Sequence, residues 1–188
     1  MAETSELIRK FRNPQWGATQ LRRVAILQGL TDNELLELYQ LGKIRSLNAK
    51  VNAVIEGEPT RGLYILLYGR VSIYKTDKTT GSMHRLTFLE EGSIFGELSL
   101  FDNAPRSATV TTESPCHLFY LDAENFLRYL DSKGDAIKTR FYKQCAEDLA
   151  DRFRNQNSDY IQAQKLLWQY ALRKTNPQES DHSKKSCN

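Results

Sequence analysis

The chain has 188 residues, of which 40% are apolar, with 26 basic and 23 acidic side chains and a formal net charge of +3. That is room for one domain with extensions, and the charge is too small to argue for nucleic acid by itself. Three widely spaced cysteines (116, 145 and 187), no signal-type apolar stretch in MAETSELIRK, and a longest apolar run of only Tyr64 to Tyr68 exclude a secreted, membrane-spanning, collagenous or mostly disordered protein. The expectation is a soluble, cytoplasmic chain.

Residues 1–17 read as a loosely docked N-terminal arm, apolar at Leu7, Ile8 and Phe11 and broken by Pro14. Residues 18–42 read as helical. Leu21, Val24, Leu27 and Leu30 recur at every third position, and Thr31-Asp32-Asn33-Glu34 resembles a capping box. Leu35, Leu36, Leu38 and Leu41 follow on one face, and Gly42 stops the helix.

From Lys43 the pattern changes to short runs rich in Val, Ile, Tyr and Thr, separated by turn residues. These runs are Lys43–Leu47, Asn52–Ile55, Leu63–Leu67, Arg70–Tyr74, His84–Leu89, Ser107–Thr112 and Cys116–Leu121. Many short strands at this spacing predict an antiparallel sandwich or barrel. Asp122 can cap a short helix carrying Phe126, Leu127 and Leu130. A longer helix is predicted from about Asp135, with Ile137, Phe141, Cys145, Leu149 and Phe153 four apart and an interruption at Asn155–Asp159. That stripe needs a cover, either the chain's own sandwich or a second protomer. Residues 175–188 read as a polar, disordered tail. The predicted organisation is an arm (1–17), a sandwich domain (18–134), a helical region (135–174) and the tail.

The common enzyme signatures, G-x-S-x-G, H-E-x-x-H, C-x-x-C and the Walker-A loop, are absent from the sequence. His84, His117 and His182 are scattered, and the pairs Arg22-Arg23 and Lys184-Lys185 read as solvated faces rather than nucleic-acid patches.

The segment from Phe95 to Val110 reads FGELSLFDNAPRSATV. Gly96 follows an apolar strand end and opens a short helical segment, Glu97 to Phe101. A helix start leaves backbone N–H groups pointing outward, and glycine lets a ligand approach them. A turn over Asp102-Asn103-Ala104-Pro105 then places Arg106 just before the next strand, where its fork can hold a phosphate. Ser107 can add a hydroxyl. Glu97 does not favour an anion, so it either pairs with Arg106 as an ordinary ion pair or accepts from a ligand hydroxyl.

This run resembles the phosphate-binding cassette of cyclic nucleotide-binding domains, the sensor modules of catabolite-activator-type regulators, protein kinase A regulatory subunits and cyclic nucleotide-gated channels. Glu56-Gly57-Glu58, Leu63-Tyr64-Ile65-Leu66, Gly69-Arg70-Val71 and Gly92 resemble further parts of the family pattern. One departure is Lys50, which stands where the family often has a turn glycine; no effect on ligand binding is expected from it.

The resemblance implies a mainly β fold, a jelly-roll sandwich with N-terminal helices and a long C-terminal helix, and a bound cyclic mononucleotide. It implies Arg106 on the phosphate and Glu97 on the ribose 2′-OH. Backbone N–H groups of Gly96, Glu97, Leu98, Ser99 and Ala108, with the Ser107 hydroxyl, would complete the cradle. Leu86 would line the base pocket or simply pack in the core. Arg152, Phe153 and Arg154 are candidates for a lid over the base. cAMP is the favoured ligand; cGMP, a cyclic dinucleotide, or a ligand-independent scaffold with a vestigial cassette stay open. A chain of this length leaves little room for an output domain. The expectation is therefore a non-enzymatic sensor that signals to an effector protein, with the C-terminal helix as a possible homodimer contact and no metal, nucleic-acid or membrane partner.

Overall fold

The computed structural model describes residues 2–102 and 104–175, so the predicted tail lies, but for its first residue, outside the described residues. By its contacts the chain divides into two units, residues 1–144 and 145–188.

The first unit opens with two helices, α1 (Ala2–Phe11) and α2 (Pro14–Leu21). The amphipathic stretch ends ahead of Pro14, as expected, and Pro14 itself starts α2. Proline at the first helical position sacrifices an N–H that would be unpaired anyway, and the Asn13 side chain caps the same turn by accepting from Trp16 N. The arm is not loosely docked. Phe11 is 2% exposed, meets Trp16 edge-on, and its carbonyl accepts from the Tyr39 hydroxyl at 2.5 Å.

The three-residue spacing of Leu21, Val24, Leu27 and Leu30 is not a continuous helix. It crosses the end of α2, a turn and a 3-10 segment, Ala25–Leu27, whose pitch of three residues matches that spacing. Helix α3 (Asp32–Leu41) follows, with the predicted capping box formed: Thr31 Oγ1 accepts from Glu34 N, and Thr31 N donates to the Glu34 carboxylate. Gly42 ends the helix for a packing reason. Its φ of −93° suits any residue, but a Cβ there would meet the Phe119 ring at 2.1 Å.

Eight strands make two antiparallel four-stranded sheets. They are β1 (Lys43–Leu47), β2 (Asn52–Val54), β3 (Gly62–Tyr68), β4 (Val71–Thr76), β5 (Met83–Leu89), β6 (Ile94–Phe95), β7 (Thr109–Thr112) and β8 (Cys116–Asp122). One sheet runs β1-β8-β3-β6, the other β2-β7-β4-β5. Ala53, Val54, Tyr64, Leu66, Val71, Phe95, Val110, Cys116 and Leu118, drawn from both sheets, form the buried cluster between them. This is the jelly-roll sandwich expected. Before β2, Lys50 adopts φ +63°, the left-handed region that suits glycine at such a turn.

Helix α4 (Ala123–Ser132) is capped by Asp122, which accepts from Asn125 N. Helix α5 runs from Asp135 to Thr175 without the interruption expected at Asn155–Asp159. Ile137 and Phe141, the start of the i+4 stripe, are buried within the first unit, with Phe141 edge-on to Phe126 at 4.9 Å. In the second unit α5 exposes Phe153, Tyr160, Ile161, Leu166, Leu167 and Trp168. Among the described residues no helix is long and apolar enough to cross a membrane.

Candidate functional site

The candidate site forms where the chain passes from one sheet to the other. β6 pairs with β3 through Tyr64↔Phe95 and then leaves the first sheet at Gly96. β7 enters the second sheet at Thr109, opposite Tyr74 of β4. Between them lie a single 3-10 turn, Glu97–Leu100, the turn at Asp102, whose carboxylate accepts from Ala104 N at 2.9 Å, and Arg106.

Gly96 has φ +78°, which favours glycine, and a Cβ on it would lie 2.3 Å from Arg106 Nη1 and 3.0 Å from the Gly62 carbonyl oxygen, so a side chain there would push the Arg106 fork from its place. Arg106 is 5% exposed as a whole residue. Its Nη1 donates to the Gly96 carbonyl at 2.9 Å and to Ser99 Oγ at 3.3 Å, and its Nε donates to Thr60 Oγ1 at 3.1 Å. Its Nη2 is buried and has no hydrogen-bond partner. Burial pulls the guanidinium below its ordinary pKa, opposed by Tyr64, Tyr120, Glu58 and Glu97. The Tyr64 ring lies 5.7 Å from the guanidinium carbon, and the Tyr64 hydroxyl accepts from Arg45 at 2.7 Å.

The Glu56-Gly57-Glu58 turn fixes the backbone of Arg106. Arg106 N donates to Glu58 O at 2.9 Å, and Gly57 N donates to Arg106 O at 2.8 Å. Gly57 takes φ +85° to present its N–H. Glu56 is held in turn by Thr76 N, by Lys75 Nζ at 2.6 Å and, through its own N–H, by Thr109 Oγ1. The bond from Lys75, then that from Thr76 N, keeps the Glu56 carboxyl below the usual range.

The residues singled out from sequence fall into three groups. Gly96, Ser99 and Arg106 are in direct contact, and Glu97, 7% exposed, stands near enough to act on Arg106 electrostatically. Leu98 is 41% exposed on the outer side of the 3-10 turn. Ser107 is exposed, Ala108 is half-buried, and the Ser107 carbonyl accepts from Lys75 Nζ at 2.5 Å. Leu86 stands apart on edge strand β5 and is 60% exposed, so it is not the core residue of the alternative reading. It is the unpaired residue of a β-bulge, since Ile73 faces Thr87 while Tyr74 faces Arg85. Of the lid candidates, all in the second unit, Phe153 is exposed and Arg154 pairs with Asp151 at 2.6 Å.

Sequence reasoning missed Thr60, Tyr64 and Lys75. Thr60 and Tyr64 lie 46 and 42 positions before Arg106, and no local pattern announces such contacts. Lys75 did leave a signal: it continues the alternation Val71, Ile73, Lys75 on the sandwich-facing side of β4, where a third apolar residue is expected.

Residues 45–133 match the family model described as the cyclic nucleotide-binding domain. This segment belongs to that family. The domain is also similar to the CRP-like cAMP-activated global transcriptional regulator of Mycobacterium tuberculosis, 27% identical over 139 residues, which are 74% of this chain and 59% of that protein. The regulatory domain of Toxoplasma gondii PKA, solved with cAMP, is 28% identical with a TM-score of 0.55, covering 60% of this chain and 42% of that one. A cyclic nucleotide-binding domain from Methylobacillus flagellatus shares the fold at a TM-score of 0.68 and 19% identity, over 78% of this chain and 85% of that one. The chain spans between 21% and 59% of the length of the first curated relatives it matches.

Proposed function

We propose that this domain is a receptor for a cyclic mononucleotide, cAMP in the first instance, and that it acts as a sensor rather than a catalyst. The observation that carries the reading is Arg106: a buried arginine whose Nη2 has no hydrogen-bond partner. A buried charged donor without an acceptor is costly, and a phosphate oxygen supplies the missing acceptor. In this reading Arg106 holds the phosphate and Glu97 accepts from the ribose 2′-OH. N–H groups from Gly96 to Ser99 and of Ala108, with the Ser107 hydroxyl, complete the cradle, and Leu86 lines the base pocket. The choice of cAMP over cGMP follows the M. tuberculosis regulator and the T. gondii domain, both described with cAMP. Helix α5 supplies the lid, from among Arg152, Phe153 and Arg154, and passes the response to an effector protein or a second protomer.

The test is calorimetric titration with cAMP, cGMP and a cyclic dinucleotide. Binding of cAMP in preference to the others is expected. No heat from either mononucleotide at millimolar concentration overturns the proposal and leaves a ligand-independent scaffold. Tighter binding of the dinucleotide reassigns the ligand.

A further inference from the structure

The cradle backbone has a second fastening besides the contacts of Arg106, and it is made by Lys75. The β4–β7 ladder runs Ile73↔Val110, Tyr74↔Thr109, and one further step brings Lys75 level with Ala108, where β7 has given way to the cassette. Alternation from Val71 and Ile73 puts Lys75 on the sandwich-facing side of the strand, and its side chain is 43% exposed. From there Nζ reaches two acceptors, the Glu56 carboxylate at 2.6 Å and the Ser107 carbonyl at 2.5 Å. Glu56 is anchored to β4 by Thr76 N and to β7 by Thr109 Oγ1. One ammonium group thus joins β4, the Glu56-Gly57-Glu58 turn and the cassette backbone at Ser107.

The Ser107–Ala108 segment lies outside the strand proper and has no β-ladder partner to set its orientation. The direction of the Ser107 carbonyl fixes the peptide plane whose N–H belongs to Ala108, because the peptide unit is planar and the two groups point opposite ways. A cation holding that carbonyl on one side therefore presents the Ala108 N–H on the other. Lysine suits this better than an apolar residue because a charge-assisted bond holds the peptide against rotation.

We infer that Lys75 is a positioning residue for the anion cradle, orienting the Ser107–Ala108 peptide toward the ligand's phosphate by way of its bonds to Ser107 and Glu56. The inference rests on the proposed reading of the site as a cyclic nucleotide cradle and adds a residue that its motif does not contain.

Lys75→Met and Lys75→Gln are titrated with cAMP beside Lys75→Arg and the wild-type chain. Each complex is then compared by 31P NMR and thermal melting. Loss of one charged hydrogen bond to the segment is expected to weaken binding about tenfold in the Met and Gln variants. The 31P resonance of bound cAMP should shift in these variants, ligand-free melting should stay near wild type, and Lys75→Arg should restore both affinity and resonance. Wild-type binding with Met and Gln variants within twofold of it, and an unmoved resonance, overturns the role of Lys75 and leaves the receptor reading intact. A wild-type chain that binds no nucleotide overturns both.

Discussion

Replacing Arg106 by Met separates the two things this side chain does. In the ligand-free chain the guanidinium makes three hydrogen bonds, at 2.9, 3.1 and 3.3 Å, each contributing about 1 kcal/mol net. Against them stands the cost of keeping a charged side chain buried with Nη2 unmatched. The two nearly offset, so Arg106→Met should change ligand-free stability by roughly 0–2 kcal/mol. With cAMP bound, the same change strips a buried phosphate of its charged partner, which costs about 3–5 kcal/mol, or roughly two-hundred-fold to several-thousand-fold in Kd. Calorimetry reads the second effect and thermal denaturation reads both. At a ligand concentration a hundred times the wild-type Kd, the wild type should gain about 2.7 kcal/mol, and the variant no more than about 0.2 kcal/mol. A variant that binds within threefold of wild type would show that the phosphate lies elsewhere, and the argument from the orphaned Nη2 would fall.

Glu97→Gln should weaken cAMP about tenfold while leaving 2′-deoxy-cAMP unaffected, since only the former offers the hydroxyl; equal losses for both ligands would remove the ribose role. The Glu113 carboxyl, bonded by Lys50 above all and also by the Tyr74 hydroxyl, is held down to about 2 from an ordinary 4.5. Its folded value is depressed, so its contribution is fully present above about pH 4.5 and is lost as pH falls toward about 2. Melting followed through that window should show a shallower acid limb in Glu113→Gln, and identical limbs would refute the pairing. Lys50→Gly should relieve about 1 kcal/mol of left-handed backbone strain, visible in denaturant titration at high salt, with cAMP affinity unchanged.

Much of the sandwich could be read from the chain because a half-buried strand repeats every two residues and its turns carry their own residue types. Lys43–Leu47 came out as predicted and the six other predicted runs within two residues at each end, while the two-residue β6 shows in the sequence only as an apolar strand end before Gly96. The Phe95–Val110 segment was legible through its resemblance to the family motif, and the turns at Gly96 and Asp102 expected from its residue types are present. What escaped was whatever depended on distant partners. Pro14 marks a real break, but the second helix that starts there with its cap at Asn13, and the burial of Phe11 beside Tyr39, lie outside any helical period. Gly42 was read as a stop signal, but its necessity comes from the Phe119 ring, which belongs to β8. Thr60 and Tyr64 joined Arg106 only once the two sheets had closed.

The bulge at Leu86 also bears on what can pair with the open edge of the second sheet. β5 is an open edge of its sheet, and it exposes Met83, Leu86 and Phe88 together. A flat apolar edge of that kind is a template for a strand from another molecule, and the usual end of such pairing is aggregation. The extra residue breaks the two-residue repeat halfway along the strand and deepens its twist. An incoming strand would then match one half of the edge or the other, never the whole of it. The bulge that leaves Leu86 unpaired therefore shortens the stretch of edge that any second strand could cover in register.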